Sequence, residues 1–217
     1  MVNTFVVSRK NNSAFTLVEL MAVIGVMALL AVVGVPALKG LAGSGGRKQA
    51  LGQLIGVFEL ARNTAIANGT NAGVIFPAAD FTNSAYAFRT MAVVACAISS
   101  TNDSYEMVGD WISLPKGVVF FPNSLATTNM LSLTNVTYRM LATKITNGSF
   151  SAVVFRGDGG LFEGTVPGAA IATNGVAFCE GTVEGGRLTK TTAQPKFERV
   201  RLARYTGRVL PTLGEEP

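Results

Sequence analysis

Histidine is absent from this 217-residue chain, and cysteine occurs only twice, at Cys96 and Cys179. Without an imidazole there is no Ser-His-Asp triad and no Cys-His dyad, and a zinc site built from His and Cys lacks its ligands. Charge is scarce as well. Asp, Glu, Lys and Arg make up 14% of the residues, against about 25% in ordinary soluble proteins. The deficit is concentrated, because no charged residue occurs over the 19 positions from Leu20 to Leu38. Paired-carboxylate and phosphate-loop signatures are also missing, so no enzyme, cofactor or metal is expected; Asp158-Gly159-Gly160 reads as a turn, and a lone acid is not a site.

The uncharged stretch lies within a longer apolar run from Phe15 to Leu38, 24 residues, or about 36 Å as a helix, enough to span the roughly 30 Å hydrocarbon layer. Arg9 and Lys10 precede it and favour a cytoplasmic N-terminus. Lys39, Arg47 and Lys48 follow it and weaken that bias, so the orientation rests mainly on the shortness of the leader. A secretory signal peptide is cut behind its apolar stretch, at small residues. Here the small residue Ala14 stands in front of it, and Glu19 sits near its head. An acid in a membrane span is costly, at about 2.5–3.5 kcal/mol for a charge at mid-bilayer, so Glu19 calls for a cationic partner. The alternative is an interfacial Glu19 that favours the positive end of the helix. Pro36, 21 residues beyond Phe15, either bends this helix or ends it.

Gly40–Gly46 has four glycines in seven positions, which predicts a flexible interruption. Helical spacing then resumes. Leu51, Leu54, Ile55, Phe58, Ala61, Arg62, Ala65 and Ile66 share one face, and Asn68-Gly69 is a stop, predicting a helix over 47–68. Beyond it come short β-rich runs: Gly73–Phe76, Tyr86–Ile98, Tyr105–Leu114, Gly117–Phe121, Leu131–Met140, Phe150–Phe155, Ile171–Cys179, Phe197–Ala203 and Arg208–Leu210. Leu114–Gly117 and Tyr205–Gly207 read as tight connections between paired strands. The expectation is an α+β layout with one long helix laid over an antiparallel sheet. Cys96 and Cys179, 83 positions apart, either form one disulfide outside the cytoplasm or stay as two buried thiols.

The string Ala14-Phe15-Thr16-Leu17-Val18-Glu19 with the apolar run behind it resembles the N-terminal processing and methylation motif of type IV prepilins and pseudopilins. The resemblance implies a leader over 1–14, cleavage by a prepilin peptidase between Ala14 and Phe15, and N-methylation of Phe15. It implies a transmembrane or filament-core helix over 15–39, the Gly-rich segment 40–46, and a periplasmic pilin-like domain over 47–217 with helix 47–68 and a β-rich part over 72–210. It also implies that Glu19 pairs with the freed Phe15 amine of a neighbouring subunit, and that Pro36 marks the place where the helix bends or loosens. The family usually has Gly where this chain has Ala14. Removal of Arg9 and Lys10 with the leader leaves 16 bases against 13 acids, a net +3, too mild to demand a nucleic-acid partner.

Further strings carry the likeness past the anchor. Phe58–Gly69, Trp111–Gly117, Phe155–Gly160 and Arg204–Val209 resemble, in order, stretches of GspH/FimT-type minor pseudopilins. Asn63 and Thr64 replace the Ser-Glu pair usual in that helix. The implied protein is a structural subunit of a type II secretion pseudopilus or type IV pilus, single-pass in the inner membrane, with other pilin subunits and the peptidase as partners. DNA-uptake members suggest an alternative in which Arg199, Arg201, Arg204 and Arg208 contact phosphates. Those members tend to close with Gly-Arg-x-Arg, whereas this chain reads Gly207-Arg208-Val209-Leu210, and Glu198, Glu215 and Glu216 dilute the patch. A solvated or subunit-contacting strand is the favoured reading.

Overall fold

The computed structural model describes residues 17–78, 81, 83–97, 104–126, 130–162, 175–185, 187–190 and 196–213, and within them the side chains of all but 31–44 and 213. Ala14 and Phe15 lie outside the described residues, as do the leader and the tail acids Glu215 and Glu216. Contacts divide the chain into two units, Met1–Ala42 and Gly43–Pro217.

A single helix, α1, covers Leu17–Asn68, 52 residues. It does not end at Pro36, and it is not interrupted over 40–46, where the glycines predict a break. Each glycine costs about 1 kcal/mol against Ala. Propagation of an existing helix adds one hydrogen bond per residue without a new nucleus, so the glycines weaken the helix locally and do not stop it. The division into two units nonetheless falls inside this stretch, between Ala42 and Gly43. α1 stops at the predicted place. Gly69 takes φ +62°, its N–H donates to Ile66 O at 3.3 Å, and the Thr70 N–H donates to Ala65 O at 3.2 Å. Those two bonds form a Schellman ending.

The buried stripe of α1 consists of Ala50, Leu54, Val57, Phe58, Ala61 and Ala65, with Leu51 and Ile55 partly buried. Ile66, predicted on the same face, is 44% exposed. The stripe is thus rotated slightly towards Ala50 and Val57.

Among the described residues ten strands follow: β1 Ala72–Phe76, β2 Thr90–Cys96, β3 Tyr105–Ser113, β4 Val118–Phe120, β5 Leu131–Met140, β6 Thr143–Phe155, β7 Val176–Glu184, β8 Arg187–Lys190, β9 Phe197–Leu202 and β10 Val209–Leu213. The general α+β expectation stands, but the expected single antiparallel sheet does not. β1, β2, β3, β5 and β6 close into a barrel, while β10, β9, β7 and β4 form a second sheet with β8 paired to β7. One barrel pair, β3 with β5, is parallel. Leu114–Gly117 therefore does not join paired strands; it carries the chain from the barrel to the second sheet. Tyr205–Gly207 does join the paired β9 and β10.

Two-sided burial explains why β1 and β2 read as continuous apolar runs. Ala72, Val74 and Phe76 of β1, and Met91 and Val93 of β2, join a cluster with α1, β4, β7, β9 and β10. Ile75, Ala92 and Val94 face the opposite way into a second cluster with Tyr105, Val136, Tyr138 and Phe150. Phe58 anchors the first cluster, its ring 6.4 Å from Phe76 and 6.3 Å from Phe155. β8 is absent from the sequence reading because Arg-Leu-Thr-Lys has no apolar face to signal a strand. β6 starts seven positions before the predicted Phe150, and Asn147-Gly148 lies within it at an irregularity of the ladder.

Candidate functional site

In the first unit, Glu19 stands in the first turn of α1, where a carboxylate favours the positive end of the helix. Around it the helix is apolar on all sides. Between Leu17 and Leu30 ten large apolar side chains are exposed, from 49% at Val23 to 75% at Leu17. Exposed apolar surface of this extent marks a contact with protein or lipid. Among the described residues, no helix is long and apolar enough to cross a membrane. The described apolar side chains from Leu17 to Leu30 cover only about 21 Å at 1.5 Å per residue.

In the second unit, three strings far apart in sequence meet at one place. Arg62 of α1 donates from Nε to Gly159 O at 3.2 Å and to Thr206 O at 2.8 Å, and its Nη1 lies 3.8 Å from Glu59 Oε2. These contacts tie the helix to the turn after β6 and to the turn between β9 and β10. The glycines there are required by close approach. A Cβ on Gly207, where φ is +61°, would overlap the Gly159 carbonyl oxygen, and one on Gly160 would come within 2.8 Å of Tyr205 O. A Cβ on Gly157 would come within 2.6 Å of the Gly69 carbonyl carbon.

Asp158 closes the first of these turns. Its carboxylate accepts from the Gly160 N–H at 2.9 Å and from Arg156 Nη2 at 2.6 Å. The Gly160 N–H first, and Arg156 after it, hold the Asp158 carboxyl below its ordinary value. Both contacts fasten the turn.

Trp111 is held by its Nε1–H, which donates to Arg139 O at 2.7 Å. Its ring lies 5.7 Å from Tyr86 and 5.9 Å from Phe81 and Phe150. The structure divides the basic residues of the tail. Arg199 and Arg201 are half-buried on β9, while Arg204 and Arg208 are exposed in and after the β9–β10 turn. The guanidinium of Arg204 stacks 5.6 Å from the Tyr205 ring. Glu198 does not dilute this set, because strand alternation turns it to the other face of β9. There it meets Arg47, whose Nη1 lies 3.9 Å from Glu198 Oε1 and whose Nε lies 3.1 Å from Glu180 Oε1. The second contact is an ion pair and not an aligned hydrogen bond. Sequence reading counts Arg47 only as a base after the anchor, and its one signal is a long cation at the edge of an apolar stripe.

The disulfide alternative is not formed. Cys96 on β2 and Cys179 on β7 are not joined to each other, since they pack in separate clusters of the core. Cys179 is fully buried beside Val119 and Phe197, and burial raises its thiol above the ordinary value. Cys96 packs, half-buried, on the barrel cluster.

No curated protein matches the chain, and neither does any solved structure. One family description does match, over residues 9–35: the prokaryotic N-terminal methylation motif. The match covers Arg9 and Lys10, the Ala14-Phe15 junction, Glu19 and the apolar head of α1. The head of this chain is therefore pilin-like, carrying the N-terminal methylation motif of a prepilin.

Proposed function

We propose that the chain is a minor pseudopilin or minor type IV pilin of the GspH/FimT kind, a non-enzymatic filament subunit. The methylation motif over residues 9–35 carries this reading, and the exposed apolar face of residues 17–30 supports it. A prepilin peptidase cuts between Ala14 and Phe15 and the new amine of Phe15 is methylated. The apolar helix first holds the subunit in the inner membrane, single-pass, with the domain from Gly43 onward outside the cytoplasm. It then packs among the helices of neighbouring pilin subunits. Glu19 pairs with the Phe15 amine of the adjacent subunit, which aligns the two. Support for the GspH/FimT kind comes from Phe58–Gly69, Phe155–Gly160 and Arg204–Val209, which converge on Arg62.

Co-expression with a prepilin peptidase, read by mass spectrometry, tests the reading. Loss of 14 residues (Met1 to Ala14) with one added methyl group is expected, and an uncut chain sinks it. Glu19→Ala should still be processed yet fail to enter filaments; equal incorporation removes the pairing. A DNA-receptor pilin is the second reading, favoured by Arg199 and Arg201 sharing one face of β9. Steeply salt-dependent DNA binding that is lost on changing both arginines would establish it instead.

A further inference from the structure

One edge of β7 is left open beside two unpaired cations. β8 pairs with Gly181–Glu184 of β7, whereas β4 pairs with β7 only from Phe178 to Glu180. The last bond on the β4 side runs from the Gly181 N–H to Gly117 O at 2.9 Å. Opposite residues of an antiparallel pair alternate between hydrogen-bonded and non-hydrogen-bonded. Gly181 aims its N–H at Gly117, so Gly181 and Val183, two residues on, turn their N–H and C=O away from β8. Beyond Gly117 no strand lies against that edge among the described residues. A cavity of about 320 Å³ occupies the place, lined by Thr182 and Val183 and by Arg89, Lys116 and Glu184. Arg89 is half-buried, and Lys116 and Glu184 are exposed. Among the described residues none of these three forms an ion pair. The wall thus carries two cations against one acid, next to a backbone donor and acceptor without a strand partner.

We propose that this edge takes an acidic extended segment from a second copy of the chain, the residues that follow β10. Residues 214–217 read Gly-Glu-Glu-Pro, so an extension of β10 brings Glu215 and Glu216 to Arg89 and Lys116. Backbone bonds to Val183 supply affinity and the two carboxylates supply the match of charge. The same chain's segment falls short. Leu213 pairs with Glu198, and Glu198 with Phe178, which puts Leu213 two strands from β7 and level with Phe178. Val183 lies five residues past Phe178. At about 4.8 Å per strand and 3.3 Å per residue the separation is roughly 19 Å. The three residues from Gly214 to Glu216 span at most about 11 Å. The contact is heterologous, so it repeats from copy to copy.

The probe is a labelled peptide of residues 210–217, titrated with the full chain in detergent and followed by anisotropy. Saturable binding is expected with a Kd on the order of 0.1 mM for so short a segment. It should weaken at least fivefold between about 0.05 and 0.5 M salt, since charges at the surface carry part of it. The same peptide with Gln at both Glu positions should bind at least tenfold more weakly. Arg89→Gln with Lys116→Gln in the chain should cost at least tenfold, and Glu184→Gln should tighten binding. If the double variant fails to fold, Lys116→Gln alone, at an exposed position, is read in its place, with about a fivefold loss expected. Exchange of the Val183 amide hydrogen should slow on saturation with peptide. Sedimentation of the full chain in detergent should show self-association that Glu215→Gln with Glu216→Gln lowers. No saturable binding at about 5 mM peptide, binding indifferent to salt or to these variants, an unchanged Val183 amide, or self-association that the Glu215 and Glu216 changes leave intact overturns the proposal.

Discussion

Changing Gly207 to Ala tests the glycine cluster beneath Arg62. Gly207 has φ +61°, and an added Cβ would overlap the Gly159 carbonyl oxygen and come within 3.0 Å of the Phe155 ring. Two costs combine. A left-handed backbone costs an L-residue about 1–2 kcal/mol, and overlap with a backbone atom that has no rotamer to retreat to adds roughly 1–3 kcal/mol. Gly185 is the control. Its φ is +56°, nearly the same, and nothing lies within 4 Å of its Cβ position. Gly185→Ala should therefore lose only the backbone part. The expected difference between the two variants is about 1–3 kcal/mol. For a domain of this size, that corresponds to a midpoint shift of about 2–4 °C per kcal/mol. The assay is thermal and urea unfolding of the full chain in detergent, followed by Trp111 emission and read for both variants side by side. Equal losses would refute the close approach of the two turns.

Three further outcomes follow from the same packing. Phe58→Ala should destabilise the second unit by about 3–5 kcal/mol, because Phe58 is fully buried and contacts rings on both β1 and β6; urea unfolding measures it, and a loss below about 1 kcal/mol would contradict the core assignment. A thiol reagent at neutral pH should label Cys96 first and Cys179 only on unfolding, since burial raises the Cys179 thiol and the thiolate is the reactive form; mass spectrometry of the native chain should show no 96–179 bridge. The Asp158 carboxyl is depressed, chiefly by the Gly160 N–H. Its contribution is therefore fully present above the ordinary carboxylate value of 3.8 and is lost as pH falls through the lower native value. The Gly160 amide resonance should move in that acid window, and the movement should vanish in Asp158→Asn.

The apolar head of α1, Glu19 within it, and the helix stop at Asn68-Gly69 were legible because they rest on local rules. These are absence of charge over a run, one acid at its start, and a residue free to take a left-handed backbone. Most strands were legible for the same reason, as β-branched and aromatic runs between turns. Tertiary structure alone decided that β1, β2, β3, β5 and β6 close on themselves, that β3 and β5 run parallel, and that Leu114–Gly117 crosses between sheets. Strand partners are chosen by which apolar faces can be buried together, and that choice is not written in any one segment. The same holds for Arg62, whose two carbonyl partners lie 97 and 144 positions away, and for Cys96 and Cys179, which pack in separate clusters of the core.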